Sequence, residues 1–147
     1  MIEKIISGGQ TGGDRGGLEA GKKLGIKTGG TAPKGYRTDK GSDYSLKNFG
    51  LVEHESWKYP PRTIKNVQDS DATVWFGNTE SPGAKLTIGT CNRLGKKVFI
   101  NPETELQLKN LLTFYNIKIL NVAGNRESSK PGIQKYVEEF LMKTFRW

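Results

Sequence analysis

Between Gly8 and Gly17, six of ten residues are glycine, in the run Ser7-Gly-Gly-Gln-Thr-Gly-Gly-Asp-Arg-Gly-Gly17. The run sits directly after the apolar pair Ile5-Ile6 and directly before a helix-length segment. Glycine costs backbone entropy on folding, so such a cluster means a backbone that turns sharply or comes close to something. Strand, glycine turn and helix in that order also present backbone N–H groups and a helix N-terminus to an anion. The run is not a P-loop, because no Lys-Ser/Thr follows its last glycine at the required spacing, and it is not a clean G-x-G-x-x-G.

The rest of the chain extends that first strand–helix unit into a series. Ile2–Ser7 reads as a buried strand, and residues 12–24 read as a helix with Leu18, Gly21, Leu24 and Gly25 on one face. Residues 27–60 are irregular and glycine-punctuated, with brief strands expected near Thr31-Ala32 and over Phe49–Val52. A connector this long is a candidate ligand-covering loop. Pro60-Pro61 opens a helix running to Gln68, and Ala72-Thr-Val-Trp-Phe76 is a β-branched and aromatic strand. Ser81-Pro82-Gly83 starts a helix that Gly95 stops. A strand at 98–100, a helix over 103–115, a strand over 117–122 and a helix over 133–145 complete the chain. Strands alternating with helices predict an α/β domain spanning 1–147, with a mostly parallel sheet and helices on both faces.

Composition narrows the function classes. The formal charge of +8 and the pI near 9.6 imply an attraction for anions. The cations are scattered from Lys4 to Arg146 and never exceed pairs such as Lys22-Lys23, which argues against nucleic acid as partner. A small anionic ligand is the better expectation. Cys91 and His54 are single representatives of their types, too few for a protein-built zinc site. No apolar run approaches the ~20 residues a membrane span needs, so no membrane partner is expected. The opening MIEKII lacks a signal-peptide core, and a lone cysteine suits a reducing compartment; both predict a cytoplasmic protein.

In open parallel sheets, ligands collect beyond the carboxyl ends of the strands. Four loops are expected there, following Ser7, Ala32, Phe76 and Val122. In the first, Thr11 reads as helix N-cap with Asp14 as its capping-box acid. Asp14 could equally face a ligand, and Arg15 could equally serve a salt bridge or a bound anion. The second loop carries Lys34, Gly35, Tyr36 and Arg37; the third, Asn78 to Thr87; the fourth, Ala123 to Gly132 with Arg126 and Lys130. Ser81 and Ser129 read as helix caps. His54 reads as a surface or packing residue, Cys91 as a buried thiol, and Asp69 and Asp71 as helix-end and loop residues at the opposite edge.

These loops resemble a known family. Ser7-Gly8-Gly9-Gln10-Thr11-Gly12 with Asp14-Arg15, Pro33-Lys34-Gly35, Arg62…Asn66-Val67…Asp69-Ser70-Asp71-Ala72-Thr73, Ser81-Pro82-Gly83…Thr87 and Leu120-Asn-Val-Ala-Gly-Asn-Arg-Glu-Ser128 are similar to the family of proposed molybdenum-cofactor carriers. The resemblance implies a Rossmann-like three-layer sandwich, commonly a homo-oligomer, that binds a molybdopterin-type ligand and is not known for catalysis. By the same resemblance Gly8, Gly9, Gln10, Thr11, Arg15, Lys34, Gly83, Thr87 and Arg126 would line the anion site. The wider superfamily handles nucleotides, so a nucleotide signal of the ADP-ribose or cyclic-nucleotide kind is an alternative ligand. Its phosphoribohydrolases use Pro-Gly-Gly-x-Gly-Thr-x-x-Glu with a catalytic glutamate. Here Thr90 stands at that position, and a threonine cannot act as a carboxylate acid or base at neutral pH. A nucleoside-phosphate hydrolase would need another acid, such as Glu80 or Glu127.

Overall fold

A computed structural model describes residues 1–146. The chain runs through β1 (Lys4–Ile6), α1 (Gly13–Leu24), β2 (Lys27–Ala32), β3 (Arg37–Thr38), β4 (Gly41–Ser42) and β5 (Leu51–Glu53). It continues through α2 (Tyr59–Gln68), β6 (Ala72–Phe76), α3 (Pro82–Arg93), β7 (Lys97–Ile100), α4 (Glu105–Phe114), β8 (Ile119–Gly124) and α5 (Ile133–Thr144). Six strands form one sheet in the order β5-β2-β1-β8-β6-β7, and every pairing in it is parallel. The fold is the expected Rossmann-like α/β sandwich, with α1, α4 and α5 on one face and α2 and α3 on the other.

Alternation along β6 shows how the layers arise. Val74 and Phe76 enter the core under α4 and α5, together with Leu120, Val122, Val137 and Leu141. Trp75 points to the opposite face and packs with Ala84 and Ile88 of α3 and with Ala123. All five β6 residues are buried, as a central parallel strand covered on both sides must be. Each fully buried Phe or Leu of this kind stabilises the fold by about 1.5–3 kcal/mol.

The stretch expected to be irregular is more ordered than its glycines suggest. β2 occupies six residues, starting at Lys27, because Ile5 and Ile6 pair with Thr28 and Gly29 on one side while Gly30 to Ala32 pair with β5 on the other. Phe49 belongs to a 3-10 turn over Tyr44–Phe49, and β5 begins at Leu51. Leu46, Phe49 and Leu51 join Leu18, Ala32 and Tyr36 in a small core of their own. The β3–β4 ribbon, two residues per strand, has no apolar pattern by which it could be foreseen.

Asn66 of α2 fixes β2 from above. Its Oδ1 accepts from the Thr31 N–H and its Nδ2 donates to the Thr31 carbonyl, both at 2.9 Å and both buried. At the far edge Asp71 accepts from the N–H groups of Lys118 and Ile119 at 2.9 and 2.8 Å, and Asp69 pairs with Lys65 at 3.0 Å. Both acids therefore hold structure, as expected.

Candidate site at the carboxyl edge of the sheet

Parallel strands place the loops after β1, β6 and β8 along one edge, and between them lies a cleft of about 260 Å³. Gln10 comes from the first loop, Ser81, Gly83 and Thr87 from the third loop and α3, and Asn125, Arg126 and Ser129 from the fourth. The first turn of α2 adds Tyr59 and Arg62, and Asp14 lines the same space. Of the residues expected to face a ligand, Gln10, Gly83, Thr87 and Arg126 line this cleft.

The other five lie elsewhere. Arg15 turns away to Asp43 at 2.9 Å and lies 4.7 Å from the Phe49 ring centroid, which realises the salt-bridge alternative. Lys34 is exposed, its backbone N–H bonded to the Ser56 carbonyl at 2.9 Å. Thr11 Oγ1 donates to Asp39 at 2.8 Å and accepts from the Glu127 N–H at 3.3 Å. The N-cap of α1 is Gly12, with no side-chain cap, so Thr11 does not cap that helix and Asp14 closes no capping box with it.

The glycines of the first loop approach the protein itself. A Cβ on Gly8 would stand 2.5 Å from the Arg62 guanidinium, and one on Gly9 would stand 2.6 Å from Leu46. On Gly12, whose φ is +87°, it would overlap the Asn125 carbonyl, and on Gly13 it would meet Gly124 at 2.6 Å. The loop is thus flattened to let Arg62 lie across it and to let the β8 loop pack onto it.

Arg62 is the cation sequence reading missed as a site residue. Its guanidinium lies 3.8 Å from Asp14 Oδ2, and the two side chains are 12% and 6% exposed. Asp14 accepts from the Gln10 and Gly124 N–H groups at 3.4 and 3.3 Å. Burial raises the Asp14 pKa, opposed by Arg62 and these amides; burial likewise lowers that of Arg62, opposed by Asp14. Two donors in this cluster, Gln10 Nε2 and Arg62 Nε, are buried without a hydrogen-bond partner among the described residues. Buried donors are normally satisfied, so orphans at a cleft point to a partner from outside the chain.

The first turn of α3 faces the same space. Ser81 is its N-cap as expected, accepting from the Ala84 N–H at 3.2 Å. Ser129 caps nothing: the N-cap of α5 is Gly132, and Glu127 takes the Gly132 and Gln134 N–H groups at 2.6 and 3.0 Å. Glu127→Ala should cost about 1 kcal/mol, the usual worth of a lost cap, read as a lower midpoint in urea unfolding. Glu80 pairs with Lys85 at 3.7 Å on the surface. Neither glutamate lines the cleft, and Lys85 does not either. Thr90, buried, donates to the Leu86 carbonyl at 2.7 Å inside α3.

A second cavity, about 490 Å³, adjoins across the Asn78–Asn125 contact and is lined by Asn101, Lys130, Ile133 and Tyr136. Its helix amides are already held by Glu127. His54 Nδ1 accepts from the Ser56 N–H at 2.9 Å, and Cys91 is buried, its thiol pKa pushed up by that burial. Among the described residues no group of three or more His, Cys, Asp or Glu is placed to hold a metal ion, and no helix is long and apolar enough to cross a membrane.

The chain superposes on the crystal structure of a "Putative molybdenum carrier protein" from Syntrophus aciditrophicus with a TM-score of 0.86 and 31% identity. The match covers 99% of this chain and 96% of that one. No curated protein matches it. The model of the circularly permutated YpsA SLOG family matches residues 5–145, and the chain belongs to that family.

Proposed function

We propose that this chain is a binding protein for an anionic pterin- or nucleotide-type small molecule, and that it carries the molybdenum cofactor, as the name of its structural neighbour suggests. One observation carries the reading: Arg62, Arg126 and the first turn of α3 converge on one cleft, and Asp14 is the one acid in its lining. Gln10 Nε2, without a partner among the described residues, adds a donor. Guanidinium groups match phosphate oxygens two at a time, and a helix N-terminus favours the same charge. The chain's residues suit the phosphate-bearing organic part of such a ligand. Molybdenum would arrive as cargo on the pterin's own sulfurs, since Cys91 is buried in α3 and the cleft lining holds no Cys, Met or His. Assembly of several copies in the cytoplasm completes the proposal.

The test is anaerobic gel filtration of the protein with molybdopterin, following pterin fluorescence after oxidation and molybdenum content. Co-elution of both with the protein supports the carrier reading. Co-elution of neither, with nucleotides also excluded, contradicts it.

Gly83 offers a sharper check, because a Cβ there would meet nothing closer than Trp75 at 4.0 Å. The fold therefore does not need this glycine, and alanine is the better helix former by about 0.5–1 kcal/mol. Gly83→Ala should leave the melting temperature unchanged or raise it, while its methyl group intrudes on the cleft and weakens ligand binding about tenfold. A variant that binds as tightly as wild type would place the ligand away from α3.

A further inference from the structure

We propose that the cleft grips its ligand by a diphosphate rather than by a single phosphate, an assignment that rests on the anion-binding reading above. Three guanidinium groups surround one phenol ring. The Cζ atoms of Arg37, Arg126 and Arg62 lie 4.5, 4.9 and 5.4 Å from the Tyr59 ring centroid. They come from β3, from the loop after β8 and from α2, so the fold gathers them and local sequence does not. Like charges gathered this closely repel, and the ring's π-face offsets only part of that repulsion.

Their compensation is uneven. Arg62 shares Asp14 at 3.8 Å. Among the described residues no carboxylate lies within 4.0 Å of Arg37 or of Arg126. The polar partner of Arg37 is a carbonyl, that of Trp57, at 3.0 Å, and its Cζ also lies 4.9 Å from the Trp57 ring centroid. Stacking on two rings and a carbonyl bond hold this guanidinium in place without neutralising it.

The arrangement has an inner and an outer end. Arg62 and Arg126 line the cleft beside the first turn of α3 and beside Gln10, whose buried Nε2 has no partner among the described residues. Arg37 stands outside that lining, on the Tyr59 ring. A single phosphate carries its oxygens on one phosphorus and can engage neighbouring guanidiniums only. Cations spread around a phenol ring, with two of the three uncompensated, suit an anion with two linked phosphoryl centres. The inner phosphoryl group would meet Arg62 and Arg126, and the outer one would meet Arg37.

The probes are inorganic pyrophosphate and inorganic orthophosphate, titrated calorimetrically at constant ionic strength. Wild type should bind pyrophosphate at least tenfold more tightly. Arg37→Gln should cut that ratio to about twofold and leave orthophosphate affinity unchanged. Lys143→Gln removes an equal charge from an exposed position of α5 and should leave the ratio intact. A wild-type ratio near one, or equal loss in the two variants, overturns the assignment. If neither anion binds, the anion-cleft reading falls with it. A nucleoside diphosphate and a pterin dinucleotide share the group, and parallel titrations with ADP and a pterin dinucleotide distinguish them. Tighter binding of either one names the source. If both bind no better than orthophosphate, the diphosphate assignment is overturned.

Discussion

Valine at position 12 should severely destabilise the fold. Gly12 has a φ of +87°, and a Cβ there would overlap the Asn125 carbonyl and stand 2.7 Å from the Glu127 backbone nitrogen. A β-branched residue forced into that conformation costs about 1–3 kcal/mol in backbone strain. Overpacking against main chain that cannot rotate away adds about 1–3 kcal/mol more. Small domains are stable by only about 5–15 kcal/mol, so Gly12→Val should lower the unfolding midpoint sharply or yield insoluble protein. A normal cooperative melt from this variant would mean that the junction between the β1 and β8 loops is loose. The cleft could not then be preformed.

Charge reversal at Arg126 should do the opposite, sparing the fold and removing the function. The side chain is exposed, makes no ion pair with a described carboxylate and repels Arg62, so the melting temperature of Arg126→Glu should match or exceed that of wild type. At the ligand the change turns attraction into repulsion at close range. Unit charges about 4 Å apart interact by about 1 kcal/mol in water and about 4 kcal/mol at an effective dielectric of 20. Reversing the sign therefore weakens binding by at least about 2 kcal/mol, or roughly 30-fold. Lys34→Glu is the informative contrast. Lys34 lies outside the cleft lining, so its reversal should reduce affinity only through long-range field, about twofold, and less as salt is added. Equal losses in the two variants would mean that the ligand sits under the Pro33–Arg37 turn.

The alternation of β-branched strands with amphipathic helices was enough to read the parallel sheet and its carboxyl edge. It also placed the loops after β1, β6 and β8 beside one another. The purpose of the glycines was not legible. Gly12 and Gly13 make room for residues 124–127, and Gly8 makes room for Arg62, partners far away in sequence that only the closed fold brings near. A glycine flattened against protein and one flattened against a ligand look the same in one dimension.

Arg62 and Tyr59 left a faint trace that could have been followed. α2 follows β5, so its first turn must lie at the carboxyl edge of the sheet. A cation in a first turn opposes the helix dipole and so calls for another reason to be there. Arg15, three residues into α1, raises the same question and has a different answer, in Asp43 and the Phe49 ring. Which arginine turns into the cleft and which meets protein depended in part on the 3-10 turn at 44–49, whose placement no periodic pattern announced.

The most direct measurement is native mass spectrometry of the protein after incubation with a whole-cell metabolite extract, run beside Arg126→Glu. Wild type should retain an anionic ligand with the mass of a molybdopterin or of a nucleotide derivative, and the variant, equally folded, should emerge bare. The same spectra read the number of chains per particle. Bare wild type, or a ligand retained equally by both proteins, would contradict an anion-binding cleft between Arg62, Arg126 and the first turn of α3.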